Sequence, residues 1–213
     1  MKKYLVLGIL FILPITAYLF FATGTNHFNR LPILTKNVNE LNNFTSVTEE
    51  NVQLDGKITV LCVFGDNFKS RFVNVFNLTH KIYRPFHEFN DLQFVVLIQE
   101  GNEHLVADVM QEVSKITNTV KWKFVSGSHK DIETFYASLK TDIRLSDKNS
   151  TPYTFIIDKE RNLRGRSDDK DSGVLYGYNS TVEAVLNNKM KDDIKILLAE
   201  YRLALKKNNN REI

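Results

Sequence analysis

Four short runs along the chain have the composition expected of β-strands. They are rich in Val, Ile, Leu and Phe, and they lie at Ile58–Phe64, Leu92–Ile98, Thr119–Val125 and Tyr153–Ile157. Continuous apolar runs of this length are typical of strands that are buried on both faces. Thr119–Val125 instead alternates between polar and apolar residues, so we expect one side of that strand to face solvent.

Segments with helical spacing separate these runs. Apolar residues recur at intervals of three or four within Lys69–Phe89, His104–Ile116, Lys130–Leu139 and Ser180–Lys206, which predicts a helix at each. A hairpin partner for the last strand is predicted at Leu163–Arg166. The alternation of strand and helix predicts an α/β fold, with a central mixed sheet flanked by helices.

The predicted hairpin is surrounded by alternating charges. We interpret this pattern as a charged rim of the hairpin. The charged residues are Arg161, Arg164, Arg166, Asp158, Asp168 and Asp169.

The first residues of the chain have a different pattern. Lys2 and Lys3 precede Tyr4–Ala22, nineteen residues without a charge. A helix of that length spans about 28 Å, close to the thickness of the hydrocarbon core of a bilayer. The run exceeds the core of about 7 to 15 residues found in signal peptides, and no A-x-A-like cleavage pattern accompanies it. We therefore predict a transmembrane signal anchor over residues 1–22, in preference to a cleaved signal peptide.

The two lysines also predict the orientation of this anchor. Basic residues flanking a membrane helix stay in the cytoplasm, so the chain after Thr23 is expected on the extracytoplasmic side. In a bacterial cell this is the periplasmic face of the inner membrane.

Residues 23–51 are polar and rich in Asn, and we predict a juxtamembrane linker. Residues 52–206 form the predicted domain, and 207–213 a polar tail.

Charge and cysteine content exclude several classes of function. The net charge is +3, and Lys2 and Lys3 supply two of those charges. The remaining chain is nearly neutral, so it lacks the basic field that binds nucleic acid. Cys62 is the single cysteine, which excludes an intrachain disulfide and a site of several thiolates. Since it lies within an apolar run, we interpret it as a small buried hydrophobic residue.

The histidines do not suggest a metal site. His80 and His87 share one face of a predicted helix, but seven residues separate them by roughly 10 Å along the helix axis. One ion cannot bridge that distance. The sequence also contains no Gly-rich phosphate loop and no Ser/His/Asp arrangement.

Four segments of the predicted domain carry short motifs in a recognisable order. They are KITVLCVFGDNF (Lys57–Phe68), VKWKFVSGSHKDIETFYASL (Val120–Leu139), STPYTFIID (Ser150–Asp158) and DDIKILLAEY (Asp192–Tyr201). Together they resemble the thioredoxin-like superfamily and are most similar to its Sco/SenC branch. The resemblance covers about Asn51–Tyr201 and implies a thioredoxin-like fold.

This resemblance also identifies what the chain lacks. Sco proteins carry a C-x-x-x-C motif at the start of the first helix, and alignment on Phe64 places Lys69 and Val73 at those positions. The metal-binding histidine of the family would fall near Ser150. Copper(I) favours thiolates and other soft ligands, and disulfide exchange needs an attacking thiolate and a resolving partner. We therefore expect no metal and no redox cofactor at this site.

Asp66, Lys69, Arg71 and Pro152 form the predicted binding surface. The first three lie at the turn where thioredoxin folds act, and a helix N-terminus there could bind an anion. A plain polar helix cap explains the same residues. The resemblance places Pro152 at a proline that is usually cis, so we predict a cis Thr151–Pro152 peptide bond.

The sequence thus predicts a membrane-anchored domain that is not an enzyme and that binds or helps to assemble an unidentified envelope protein. By resemblance alone, respiratory-oxidase assembly is the setting to consider. One alternative is a thiol oxidoreductase or peroxidase that uses Cys62 alone, which requires an exposed thiol. Another is copper binding through other groups.

Overall fold

The computed structural model describes residues 2–23, 30–48 and 51–209. Most of its strands join a single mixed sheet. In chain order the strands are β1 (Ile33–Thr35), β2 (Thr45–Ser46), β3 (Ile58–Gly65), β4 (Leu92–Gln99), β5 (Trp122–Gly127), β6 (Tyr153–Ile157), β7 (Leu163–Arg164), β8 (Arg166–Asp169), β9 (Gly173–Leu175) and β10 (Tyr178–Asn179).

Helices follow the strands in the order that the apolar spacing predicts. They are α1 (Lys2–Thr23), α2 (Phe72–Leu78), α3 (Arg84–Phe86), α4 (His104–Ser114), α5 (His129–Ala137), α6 (Glu183–Val185) and α7 (Lys191–Asn209). Short 3-10 and π-helical turns at Lys69–Arg71, Thr79–Tyr83 and Leu186–Met190 extend or join them. Residues 69–86 therefore form one nearly continuous helical run.

Strand β3 lies at the centre of the sheet, whose strand order is β1-β7-β6-β3-β4-β5-β2, with β10 added beside β6. It pairs in parallel with β4 and antiparallel with β6, and β4 pairs in parallel with β5. Strands β8 and β9 form a separate two-stranded sheet. We call the end where β3, β4 and β5 begin the base of the domain, and the opposite end its top.

Helices cover both faces of the central strand. Val60 and Cys62 point into one core with side chains of α2, α4 and α7. Leu61 and Val63 point into a second core with side chains of α5 and with Val38 from the N-terminal segment. Because both faces are buried, the apolar run of β3 shows no alternation.

The segment before β3 differs from the predicted linker. Strands β1 and β2 pair with β7 and β5 at the two edges of the sheet, and Leu31, Val38 and Leu41 are buried. The physical reason is that edge strands would otherwise leave unpaired N–H and C=O groups. Residues 24–29 and 49–50 of the predicted linker, and 210–213 of the predicted tail, lie outside the described residues.

Two further expectations need correction. β5 begins at Trp122, and its side chains are almost all buried, because α5 and the first core cover its two faces. The predicted hairpin splits after Arg164, since Arg166–Asp169 pairs with Gly173–Leu175 and not with β6.

Counting the described residues alone, no helix is long and apolar enough to cross a membrane.

Arg164 joins three parts of the fold at a buried position. Its guanidinium donates to Asp158 Oδ2 at 3.0 Å, to Glu200 Oε2 at 2.6 Å and to the carbonyl oxygen of Leu31 at 2.5 Å. The side chain of Asp158 is 1% exposed and that of Arg164 6%. Burial alone would lower the pKa of Arg164, but the hydrogen bonds and charges of Glu200 and Asp158 raise it. Arg164 and Asp158 therefore lie in the interior and not on the predicted charged rim, and Asp169 is buried as well.

We expect Arg164→Met to lower the free energy of unfolding by about 3–5 kcal/mol, because it leaves the Asp158 carboxylate buried without its partner. Urea denaturation would measure the loss. Arg161→Met is the matched control: its ion pair with Asp55 is 3.9 Å long and partly exposed, and exposed pairs contribute up to about 1 kcal/mol. Equal losses in the two variants would contradict the role given to Arg164.

Candidate functional site

The top of β3 lies unusually close to the loop that precedes β6. Gly65 ends the strand with φ +49°, and a Cβ atom there would lie 2.2 Å from the carbonyl oxygen of Lys148. Backbone hydrogen bonds hold the two segments together, from Asp66 N to Lys148 O at 2.9 Å and from Thr151 N to Val63 O at 3.0 Å. Only glycine fits this approach, and the approach places Ser150 beside the turn that follows β3.

That turn leads directly into the helical run. Phe68 is buried and packs against Phe64, Phe72 and Phe124, so it fixes where the first helical turn begins. Lys69 opens that turn and is exposed. One turn later Val73 is 49% exposed. The two positions that resemblance assigns to cysteines therefore both face solvent.

Arg71 occupies the space between the turn and the loop. Its Nε donates to Ser150 Oγ at 2.9 Å, and Ser150 is 1% exposed. Burial lowers the pKa of Arg71, yet a guanidinium keeps its charge in proteins. The contact between Arg71 and Ser150 is therefore a charged hydrogen bond, and Ser150 is near the position that the resemblance assigns to a histidine. We call Asp66, Lys69, Arg71, Val73, Ser150 and Pro152 the substituted site.

The structure brings the predicted binding residues to one end of the domain. Asp66 and Lys69 line a shallow cleft of about 290 Å³, together with His104 and Lys148. Asp66 Oδ1 accepts a hydrogen bond of 3.2 Å from Asn102 Nδ2. No group of three or more potential metal-ligating side chains lies together in the described part of the chain.

The Thr151–Pro152 peptide bond is not cis, because the described residues contain no cis peptide, and this prediction is wrong. The trans form satisfies the neighbouring polar groups. Thr151 N donates to the β3 backbone, and the Pro152 carbonyl oxygen accepts from Ser180 N at 3.0 Å and from Asn74 Nδ2 at 3.2 Å. With these bonds in place, nothing opposes the ordinary preference for trans.

A buried polar network lies beneath the substituted site. Asn74 Nδ2 donates to Ser180 Oγ at 2.7 Å, Thr154 Oγ1 donates to the same oxygen at 3.1 Å, and Ser180 Oγ donates to Pro152 O at 2.8 Å. Asn74 and Thr154 are fully buried. Sequence reasoning did not select Asn74 or Ser180. The available signal was a single Asn among the apolar residues of FVNVF, a sequence that otherwise predicts core packing.

Cys62 lies at the end of this network, as the interpretation of a buried hydrophobic residue predicted. Its Sγ is 3.6 Å from Thr154 Oγ1, and its side chain has no solvent exposure. Burial raises the pKa of the thiol to about 12, although the hydrogen bond to Thr154 acts in the opposite direction. A thiolate is the reactive form of cysteine, so this sulfur is both inaccessible and protonated at neutral pH.

Solved structures share this architecture. BsSco, a member of the Sco family of cytochrome c oxidase assembly proteins, is 13% identical with a TM-score of 0.53, and the match covers 78% of this chain and 94% of that one. A candidate electron transfer protein from Aquifex aeolicus VF5 is also 13% identical with a TM-score of 0.53, covering 77% and 92%. The chain has a thioredoxin-like fold.

A third thioredoxin-like match is a candidate protein disulfide isomerase from Bacteroides thetaiotaomicron. It is 11% identical with a TM-score of 0.52 and covers 80% of this chain and 95% of that one. No protein-family model and no curated protein matches the chain. These comparisons confirm the predicted thioredoxin-like fold and its likeness to Sco proteins, and at such identities the likeness concerns the fold alone.

We expect Cys62 in the folded full-length chain not to react with a small maleimide, because its sulfur is buried and protonated. Mass spectrometry after labelling at mildly alkaline pH would measure this. The matched control is Val73→Cys, which places a thiol at an exposed position and should take up one label. Labelling of Cys62 without denaturant would contradict its buried position.

Proposed function

We propose that this chain is a membrane-anchored, extracytoplasmic binding or assembly factor whose thioredoxin-like domain performs no redox or copper chemistry. The observation that carries the proposal is the substituted site. The fold is retained, while Lys69, Val73 and Ser150 stand where the resemblance would place two thiols and an imidazole. A surface that keeps its shape without its reactive groups can still recognise a protein.

The contacts of Arg71 support binding over catalysis. The hydrogen bond from its guanidinium to the buried Ser150 hydroxyl holds the turn and the loop in one arrangement. Neither group can donate electrons in a redox reaction. The exposed Val73 and the exposed Lys69 beside it offer apolar and cationic contacts. An apolar side chain fits the buried centre of a protein interface, and a charged one fits its polar rim.

The alternative oxidoreductase would depend on Cys62. Complete burial and a raised pKa oppose it, since the reaction requires an accessible thiolate. No other sulfur nucleophile is available in this sequence. We therefore favour the non-catalytic proposal.

Membrane attachment is the second part of the proposal. Its support is the uncharged run Tyr4–Ala22 together with the side chains of α1 that the structure describes. Leu10, Phe11 and Leu13 are 60–65% exposed on this helix, so the domain does not bury them. Apolar side chains all around a helix favour burial in an apolar surrounding, which supports attachment through α1 even though its described residues do not meet the length and hydropathy of a membrane span. Lys2 and Lys3 then support the extracytoplasmic side for the domain.

The setting is proposed from the likeness to Sco proteins alone. BsSco belongs to a family of cytochrome c oxidase assembly proteins, and assembly at a membrane is compatible with a tethered domain. Deleting this chain and measuring oxidase content would test that setting. A normal oxidase content together with a defect in another envelope process would exclude oxidase assembly as the setting.

We expect a photo-crosslinking amino acid at Val73 to capture a specific envelope protein in native membranes. The exposed substituted site is the proposed contact surface, so the adduct should form there. Ala137 is the matched control position, since it is an exposed helical residue on α5, which covers the other face of the sheet. Immunoblotting and mass spectrometry would compare the adducts.

Two outcomes of that experiment would count against the proposal. The same adducts at both positions would mean that the substituted site is not selective. If the purified chain turned over a disulfide or a peroxide without using the thiol of Cys62, other groups of the chain would be catalytic.

We also expect the purified chain to retain no Cu(I) against a competing chelator. Lys69 and Val73 cannot supply the soft ligands that Cu(I) favours, and Cys62 is enclosed. Metal analysis after gel filtration would measure retained copper. Stoichiometric Cu(I) that survives the chelator would establish the hypothesis of copper binding through other groups.

A further inference from the structure

The base of the domain carries an unusual exposed side chain. Phe89 is 41% exposed, and beyond α1 it is the one aromatic residue classed as exposed among those the structure describes. It lies in the loop before β4. In the neighbouring loop before β5, Val120 is 72% exposed. Two adjacent loops at the same end of the sheet thus present apolar side chains to the surroundings.

Basic side chains surround these apolar ones. Lys121 Nζ donates a hydrogen bond to the carbonyl oxygen of Phe89. Burial lowers the pKa of Lys121, and the nearby charge of Lys57 lowers it further. Arg202 lines an apolar cleft of about 280 Å³ together with Phe89. We call Lys57, Phe89, Val120, Lys121 and Arg202 the basal patch.

Two of the acidic side chains at this end have cationic partners. Asp91 pairs with Lys159 at 2.5 Å. Glu160 accepts a hydrogen bond from the neutral hydroxyl of Tyr201 and so keeps its negative charge. Asp55 lies 3.9 Å from Arg161. Glu88 is exposed beside Phe89. The three cations of the basal patch therefore outnumber the uncompensated carboxylates of Glu88 and Glu160 by one, which leaves a modest positive charge. Aromatic and basic residues together are typical of surfaces that lie at the interface of a membrane.

The path of the chain brings the base of the domain close to the proposed anchor. The backbone N–H of Leu31 donates to Glu200 Oε1 at 2.5 Å, which fixes the point where the chain enters the domain. Glu200 precedes Tyr201 and Arg202, and both line the apolar cleft beside Phe89. Between Thr23, at the end of α1, and Arg30 the chain can span at most about 25 Å. The entry point therefore stays near the membrane surface whenever α1 is in the bilayer.

We propose that the basal patch lies against the headgroups of anionic phospholipids, with Phe89 at the membrane interface. The proposal rests on the membrane attachment proposed above. Strand β3 runs from the base to the top over eight residues, a rise of about 23 Å. The substituted site therefore points away from the bilayer, where it can meet the soluble part of a partner protein.

Spin labelling of the full chain in vesicles tests this orientation. Val120→Cys and Val73→Cys form a matched pair, since each converts an exposed valine at one end of the domain into a thiol, while Cys62 stays buried. In vesicles of phosphatidylcholine with phosphatidylglycerol, a nitroxide at position 120 should collide several-fold less with aqueous nickel chelate than one at position 73. Phe89→Ser and Arg202→Gln, added to Val120→Cys, should each reduce this difference.

The outcomes separate the orientation from the anchor. The chain could stay in the vesicles after alkaline carbonate washing while nickel collides equally with positions 73 and 120. That result would contradict the proposed lipid contact of the basal patch but would agree with the proposed anchor. Release of the chain by carbonate would overturn both. A difference that persists in pure phosphatidylcholine and at high salt would show apolar insertion only and would overturn the preference for anionic lipid.

Discussion

The close approach of two backbone segments at Gly65 determines the geometry of the substituted site. A strand end that lies against the carbonyl oxygen of Lys148 has no room for a Cβ atom, and hydrogen bonds on both sides keep the segments together. Ser150 can meet Arg71 only because the loop is held there. In this chain the junction brings residues from two distant parts of the sequence next to each other.

The interior beneath the junction contains a buried polar network. A buried polar group is costly without a hydrogen-bond partner, and the hydroxyls and amide N–H groups beneath Pro152 bind one another, whereas Asn74 Oδ1 has no partner among the described residues. Ser180 Oγ accepts from Asn74 and Thr154 and donates to Pro152. Cys62 ends the network as a neutral group. The network therefore links α2, β6 and the segment after β10 to one another.

Local patterns predicted the strands and helices well, and they failed where distant residues decide the outcome. Ile58–Phe64 and Tyr153–Ile157 are recognisable because their own residues specify a buried strand. Nothing near Arg164 in the sequence identifies Glu200 and Leu31 as its partners, so exposure was the natural expectation for that arginine. Strands β1 and β2 have three and two residues, too few to show a strand pattern in the sequence. These strands exist because they complete the edges of a sheet built by residues far along the chain.

The same distinction applies to the site. Asp66, Lys69 and Arg71 could be chosen from the sequence because they follow a buried strand at a turn, and the structure places them at one end of the domain. The hydrogen bond from Arg71 to Ser150 spans 79 positions and could not be inferred from spacing. The trans peptide at Pro152 depends on acceptors and donors in β3 and around Ser180. Short motifs therefore suggest candidate residues, whereas contacts between distant residues decide how those residues are arranged.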